Sequence, residues 1–84
     1  MSLYELQKLI RDVNSKAESR KAYFESPQRF AEAYDLAEEE RAALLSMDIG
    51  QLYARGVHGL LLRPFTIIHS ISEPDYLKAI RGEK

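Results

Sequence analysis

The sequence predicts an all-α fold, a small bundle of about five helices. Three observations predict it. Apolar residues recur at helical intervals, polar capping residues precede several of those stripes, and the single β-branched run has no second run to pair with. With 84 residues, the chain has room for one domain, spanning 1–84.

Leu6, Ile10, Val13, Ala17 and Phe24 fall on one stripe, while Lys8, Arg11, Asp12, Lys16 and Glu18 fall mostly on the other face. Asn14 and Ser15 are weak helix formers. The stretch is therefore either one helix over about 3–25 or two that meet near Asn14. Ser26-Pro27 then starts a short helix, because serine caps and proline fits the first helical position. Phe30 and Tyr34, four apart, define its buried face. After Asp35-Leu36-Ala37, the acidic run Glu38, Glu39 and Glu40 suits the positive end of a helix with an Ala43, Leu44 and Met47 stripe. Alanine in its N-cap position costs about 1 kcal/mol.

Asp48 caps a helix containing Ile49, Leu52 and Tyr53, and Gly56 stands where a left-handed C-terminal residue belongs. Val57 to Leu62 reads as one or two helical turns stopped by Pro64. Phe65 to Ile71 is β-branched and aromatic and could be extended, but the run has no second strand to pair with. Ser72-Glu73-Pro74-Asp75 resembles a capping box, opening a last helix with Tyr76, Leu77 and Ile80 that ends at Gly82.

Composition narrows the function classes. The absence of cysteine excludes disulfide scaffolds, thiolate zinc sites, iron–sulfur clusters and cysteine nucleophiles. A net charge of −1 argues against nucleic acid as a partner. No apolar run approaches the roughly 20 residues that cross a membrane. Met1-Ser2-Leu3-Tyr4-Glu5 lacks the basic start of a secretory signal, so a cytoplasmic location is expected. Domains this small bury a modest share of their surface, and a partner chain or homo-oligomer would add to it.

No residue constellation carries catalysis. A mononuclear metal centre needs about three protein ligands, and His58 and His69 stand in separate segments without ligand spacing, so no metal is expected in this chain. Glu38 to Glu40 point in different directions and compensate a helix dipole rather than form an acid–base pair. Ser26 and Ser72 are caps before they are nucleophiles. No phosphate-binding or dinucleotide fingerprint occurs. Most aromatics fall on apolar stripes and read as core. Phe65, Ile67, Ile68 and Ile71 lie outside the strongly periodic helices, in a stretch from Val57 whose one charge is Arg63, and are a candidate interface, the alternative being that the stretch closes the bundle as its apolar lid.

The run Leu36-Ala37-Glu38-Glu39-Glu40-Arg41-Ala42-Ala43-Leu44-Leu45, followed by Asp48, Leu52, Gly56-Val57-His58 and Leu60-Leu61-Leu62, resembles the LigA family. These are the small α subunits of LigAB-type extradiol dioxygenases. The resemblance extends upstream through Glu18, Arg20 and Phe24 and downstream through Phe65–Ser70 to Asp75-Tyr76. It implies an all-helical subunit without catalytic residues of its own. The Fe(II), with its two histidines and a glutamate, would belong to the large β (LigB-like) subunit, and this chain would pack over that active site. Phe65, with His58, Ile67 and Ile68, would then contact the partner and a pocket for a catechol-type aromatic acid. Stand-alone LigA-like domains also resemble the binding domain of split-borosin precursor peptides, which a partner methyltransferase modifies. On that alternative, Thr66-Ile67-Ile68-His69-Ser70-Ile71 would be the modified stretch.

Overall fold

A computed structural model describes residues 2–81, and all its regular elements are helices. There are seven among the described residues: α1 (Ser2–Ser15), α2 (Ala17–Glu25), α3 (Pro27–Ala31), α4 (Glu38–Leu45), α5 (Ile49–Ala54), α6 (Gly59–Ile68) and α7 (Glu73–Arg81).

Helix α1 forms the floor of the core. Leu6, Leu9, Ile10 and Val13 are all fully buried, and α6 and α2 pack against them. The break after α1 falls at Lys16, whose backbone is extended. Arg20 closes the gap, its guanidinium donating to the Val13 and Asn14 carbonyls at 3.2 and 2.8 Å. Those carbonyls belong to the last turn of α1, which has no further helical N–H to meet them. The break also resets the helical phase. Tyr23 therefore turns inward, while Ala17 and Phe24, expected on the buried stripe, are exposed.

The caps form largely as the sequence predicts. Ser26 Oγ accepts from the Arg29 N–H, Asp48 from Gln51, and Ser72 from Asp75. Phe30 in α3 and Tyr34 just beyond it are half-buried, with Ala31 taking the buried place between them. Glu40 departs from expectation. It is buried, and its Oε1 accepts the Ala37 N–H at 2.9 Å, the half of a capping box that needs no side chain from the N-cap residue. In α5, Ile49 and Leu52 are buried but Tyr53 is exposed. Gly50 meets α7 there: a Cβ at that position would come within 2.9 Å of the Ala79 carbonyl oxygen. Tyr76 is the buried residue of α7, Leu77 is exposed, and Gly82 lies outside the described residues.

The largest difference lies in α6. Pro64 does not stop the helix, and the segment after it is not extended. Proline withholds only its own N–H and crowds the carbonyl four residues back, a local cost that burial can offset. Leu62, Phe65 and Thr66 are fully buried on either side of it. Asn14 of α1 adds support, its Nδ2 donating to the Leu61 carbonyl at 2.9 Å. Tertiary packing outweighs β-propensity here.

Helices α4, α5 and α6 end in the same way. The Asp48, Val57 and Ile71 N–H groups reach back to Ala43, Leu52 and Thr66 carbonyls, across left-handed Met47, Gly56 and Ser70. Gly56 adopts its φ of 105° freely, whereas Ser70 holds a φ of 62° with a Cβ in place. Ser70→Gly should therefore raise stability by about 1 kcal/mol, read as a higher midpoint in thermal denaturation.

Candidate functional site

The four residues expected at a partner or pocket surface, His58, Phe65, Ile67 and Ile68, all lie on α6 or cap it. A helix turns successive residues by about 100°, so α6 distributes them over different faces. Leu62, Phe65, Thr66 and His69 look inward, while Leu60, Pro64 and Ile67 look out.

Phe65 is fully buried, its ring centroid 5.6 Å from Tyr23 and 4.5 Å from His69. The imidazole of His69 has a partner at each nitrogen. Nδ1 lies 2.7 Å from the Phe65 carbonyl oxygen, which can only accept, so Nδ1 carries the proton. Nε2 consequently accepts from the Tyr23 hydroxyl at 2.9 Å. Burial holds the His69 pKa below its ordinary value, opposed by the bond to Phe65, and pushes the Tyr23 hydroxyl up to about 12. Phe24 lies nearby, its ring tilted at 57° with its centroid 5.1 Å from His69. This cluster ties α2 to the C-terminal end of α6.

The outer face is different in character. Leu60 is 80% exposed and Ile67 57% exposed, Pro64 between them is exposed, and Ile68 is half-buried at the edge. Arg63, the one charge within α6, is drawn sideways. Its Nη1 donates to Thr66 Oγ1 at 3.2 Å and to the Ile71 carbonyl at 3.4 Å, and the guanidinium lies 5.0 Å from the Tyr76 ring centroid.

His58 is exposed and caps α6. Its Nδ1 accepts the Leu60 N–H at 3.1 Å, while its own backbone N–H donates to Gln7 Oε1 at 2.9 Å. The two histidines thus occupy opposite ends of one helix, roughly 16 Å apart along its axis at 1.5 Å per residue. No group of three or more His, Asp or Glu side chains among the described residues could hold a metal ion. The Thr66–Ile71 stretch is helix and helix cap, with Thr66 fully buried. Among the described residues, no helix is long and apolar enough to cross a membrane. The geometry offers binding chemistry: a rigid helix with an uncharged outer stripe.

The Tyr23–His69 pair was not found from sequence, because its partners are 46 residues apart. The spacing of Phe65 and His69, one helical turn, was the available clue. In an extended segment the same spacing would bring no contact.

A family model described as "Aromatic-ring-opening dioxygenase LigAB, LigA subunit" matches residues 6–84. Comparison with curated proteins and with solved structures gave no match.

Two outcomes follow from this geometry. Phe65→Ala should cost the isolated chain about 3–5 kcal/mol, enough to unfold much of it, as read by circular dichroism. His69 is kept neutral by the fold but protonates at its ordinary value of 6.5 when unfolded, so unfolding takes up a proton as pH falls below that value. Its contribution is fully present above pH 6.5 and is lost as pH falls toward the lowered folded value. Denaturant titrations across that range should show this slope, and His69→Gln should flatten it.

Proposed function

The chain belongs to the LigA family, and we propose that it serves as the small, non-catalytic subunit of a LigAB-type aromatic-ring-opening dioxygenase. Family membership is the observation that carries this reading. In it, the large LigB-like subunit holds Fe(II) and performs the ring cleavage. The present chain packs over that active site and helps close the pocket around a catechol-type aromatic acid. A pocket wall of this kind supplies shape and excludes water, which strengthens the electrostatic interactions inside. The chain has the means for that role. Its α6 presents an apolar face with Ile67 and Ile68 and an exposed imidazole at His58. Phe65, from beneath, fixes the helix that carries them.

The test is reconstitution with a LigB-type large subunit encoded by the same genome. The large subunit alone should turn over catechol acids with a kcat/KM lower by about tenfold or more than the reconstituted pair, because its pocket stays open to water. The small chain alone should show no turnover. A large subunit that is equally active alone, and does not bind this chain, would overturn the proposal.

A further inference from the structure

Glu25 and Arg29 stand four residues apart with the acid first, the order that pairs on a continuous helix. The fold keeps them from pairing. The backbone at Ser26 is extended, so α2 ends at Glu25 and α3 begins at Pro27. Neither side chain forms a hydrogen bond or ion pair with another described residue. Both instead border a groove of about 410 Å³, lined otherwise by Ala22, Ser26, Phe30 and Ala33.

We propose that this groove binds a free α-amino acid with an aromatic side chain. The Arg29 guanidinium donates to the carboxylate, Glu25 accepts from the ammonium, and the ring lies against Phe30 between Ala22 and Ala33. These residues belong to α2, α3 and the turn after it, and none to α6, so the inference stands apart from the subunit role.

Charge selects the ligand. A simple aromatic acid would meet Arg29 but be repelled by Glu25, and a simple amine would meet the reverse; a zwitterion satisfies both. The volume lies within the range of small-molecule sites. The floor is set before a ligand arrives, because half-buried Phe30 packs edge-on against Tyr23, with centroids 6.0 Å apart, and tilted against Tyr34 at 5.5 Å. A further ring gains from edge or offset contact with Phe30, which an aliphatic side chain does not. Helix α7 borders a second groove, of about 400 Å³, lined by Glu73, Pro74, Leu77, Lys78 and Arg81. Two cations outnumber one acid there, and no ring among the described residues lines it, so it lacks this complementarity.

The experiment follows the Ala22 and Ala33 methyl resonances of the full chain during titration with L-phenylalanine. Saturable shifts are expected, with a Kd in roughly the millimolar range for an exposed site. Phenylpropionate, phenylethylamine and L-alanine, which lack the ammonium, the carboxylate and the ring in turn, should each bind on the order of fivefold more weakly. Arg29→Gln and Glu25→Gln should weaken L-phenylalanine by a similar factor with an unchanged thermal midpoint, since both side chains are exposed and unpaired. Lys78→Gln, in the α7 groove, should bind like wild type. No saturable shift with L-phenylalanine, or shifts that survive both substitutions, would overturn the site. Equal affinity for the zwitterion and its singly charged analogues, or for L-alanine, would overturn the ligand class and with it the proposal.

Discussion

Burial of α1 is the constraint on which the rest of the structure depends. Its four fully buried side chains supply the surface on which α6 and α2 lie. Its polar residues do equally specific work at the edges. Glu5 accepts the Asp35 N–H, Gln7 accepts the His58 N–H, Asp12 accepts the Tyr34 hydroxyl and Asn14 donates to the Leu61 carbonyl. One helix therefore meets backbone groups in two connections and one neighbouring helix. The bond from Tyr34, and secondarily Lys16, holds the Asp12 carboxyl below its usual range despite partial burial. Burial, followed by that carboxylate, pushes the Tyr34 hydroxyl upward. An 84-residue chain has little apolar area to spare, so such long-range polar ties fix positions that hydrophobic burial alone leaves loose.

Local chemistry was legible in the sequence where it acts over three or four residues. The caps at Ser26, Asp48 and Ser72, the left-handed Gly56, and the Leu6, Ile10 and Val13 stripe all reflect nearest-turn physics. What escaped depends on contacts made from afar. One extended residue at Lys16 rotates α2 enough to exchange Phe24 for Tyr23 in the core. Pro64 and the isoleucines after it argued for a stop and an extended segment. The sequence around them contains no sign that Asn14, far upstream, would support the helix, or that Phe65 would be enclosed by Tyr23 and His69. The outer row of α6 was equally hidden, since a helix stopped at Pro64 would have separated Leu60 from Ile67.

Helix α6 consequently does two jobs with one short sequence. Its inner face completes the core that α1 begins, and its outer face remains apolar without disturbing that core. The division is enforced at both ends by imidazoles, His58 accepting from the first turn and His69 engaging the last. Proline between them suits the solvent side of the helix, where a missing N–H is least costly.

The enclosure of His69 by three rings has a spectroscopic consequence. Aromatic ring currents displace the resonances of nearby protons, and the Tyr23, Phe24 and Phe65 centroids lie 5.4, 5.1 and 4.5 Å from that imidazole. The exposed imidazole of His58 caps the far end of the same helix. With two histidines in the chain, their carbon-bound proton signals separate without isotopic labelling. One end of α6 thus carries a native magnetic reporter of the enclosed side, and the other a reporter of the solvent side.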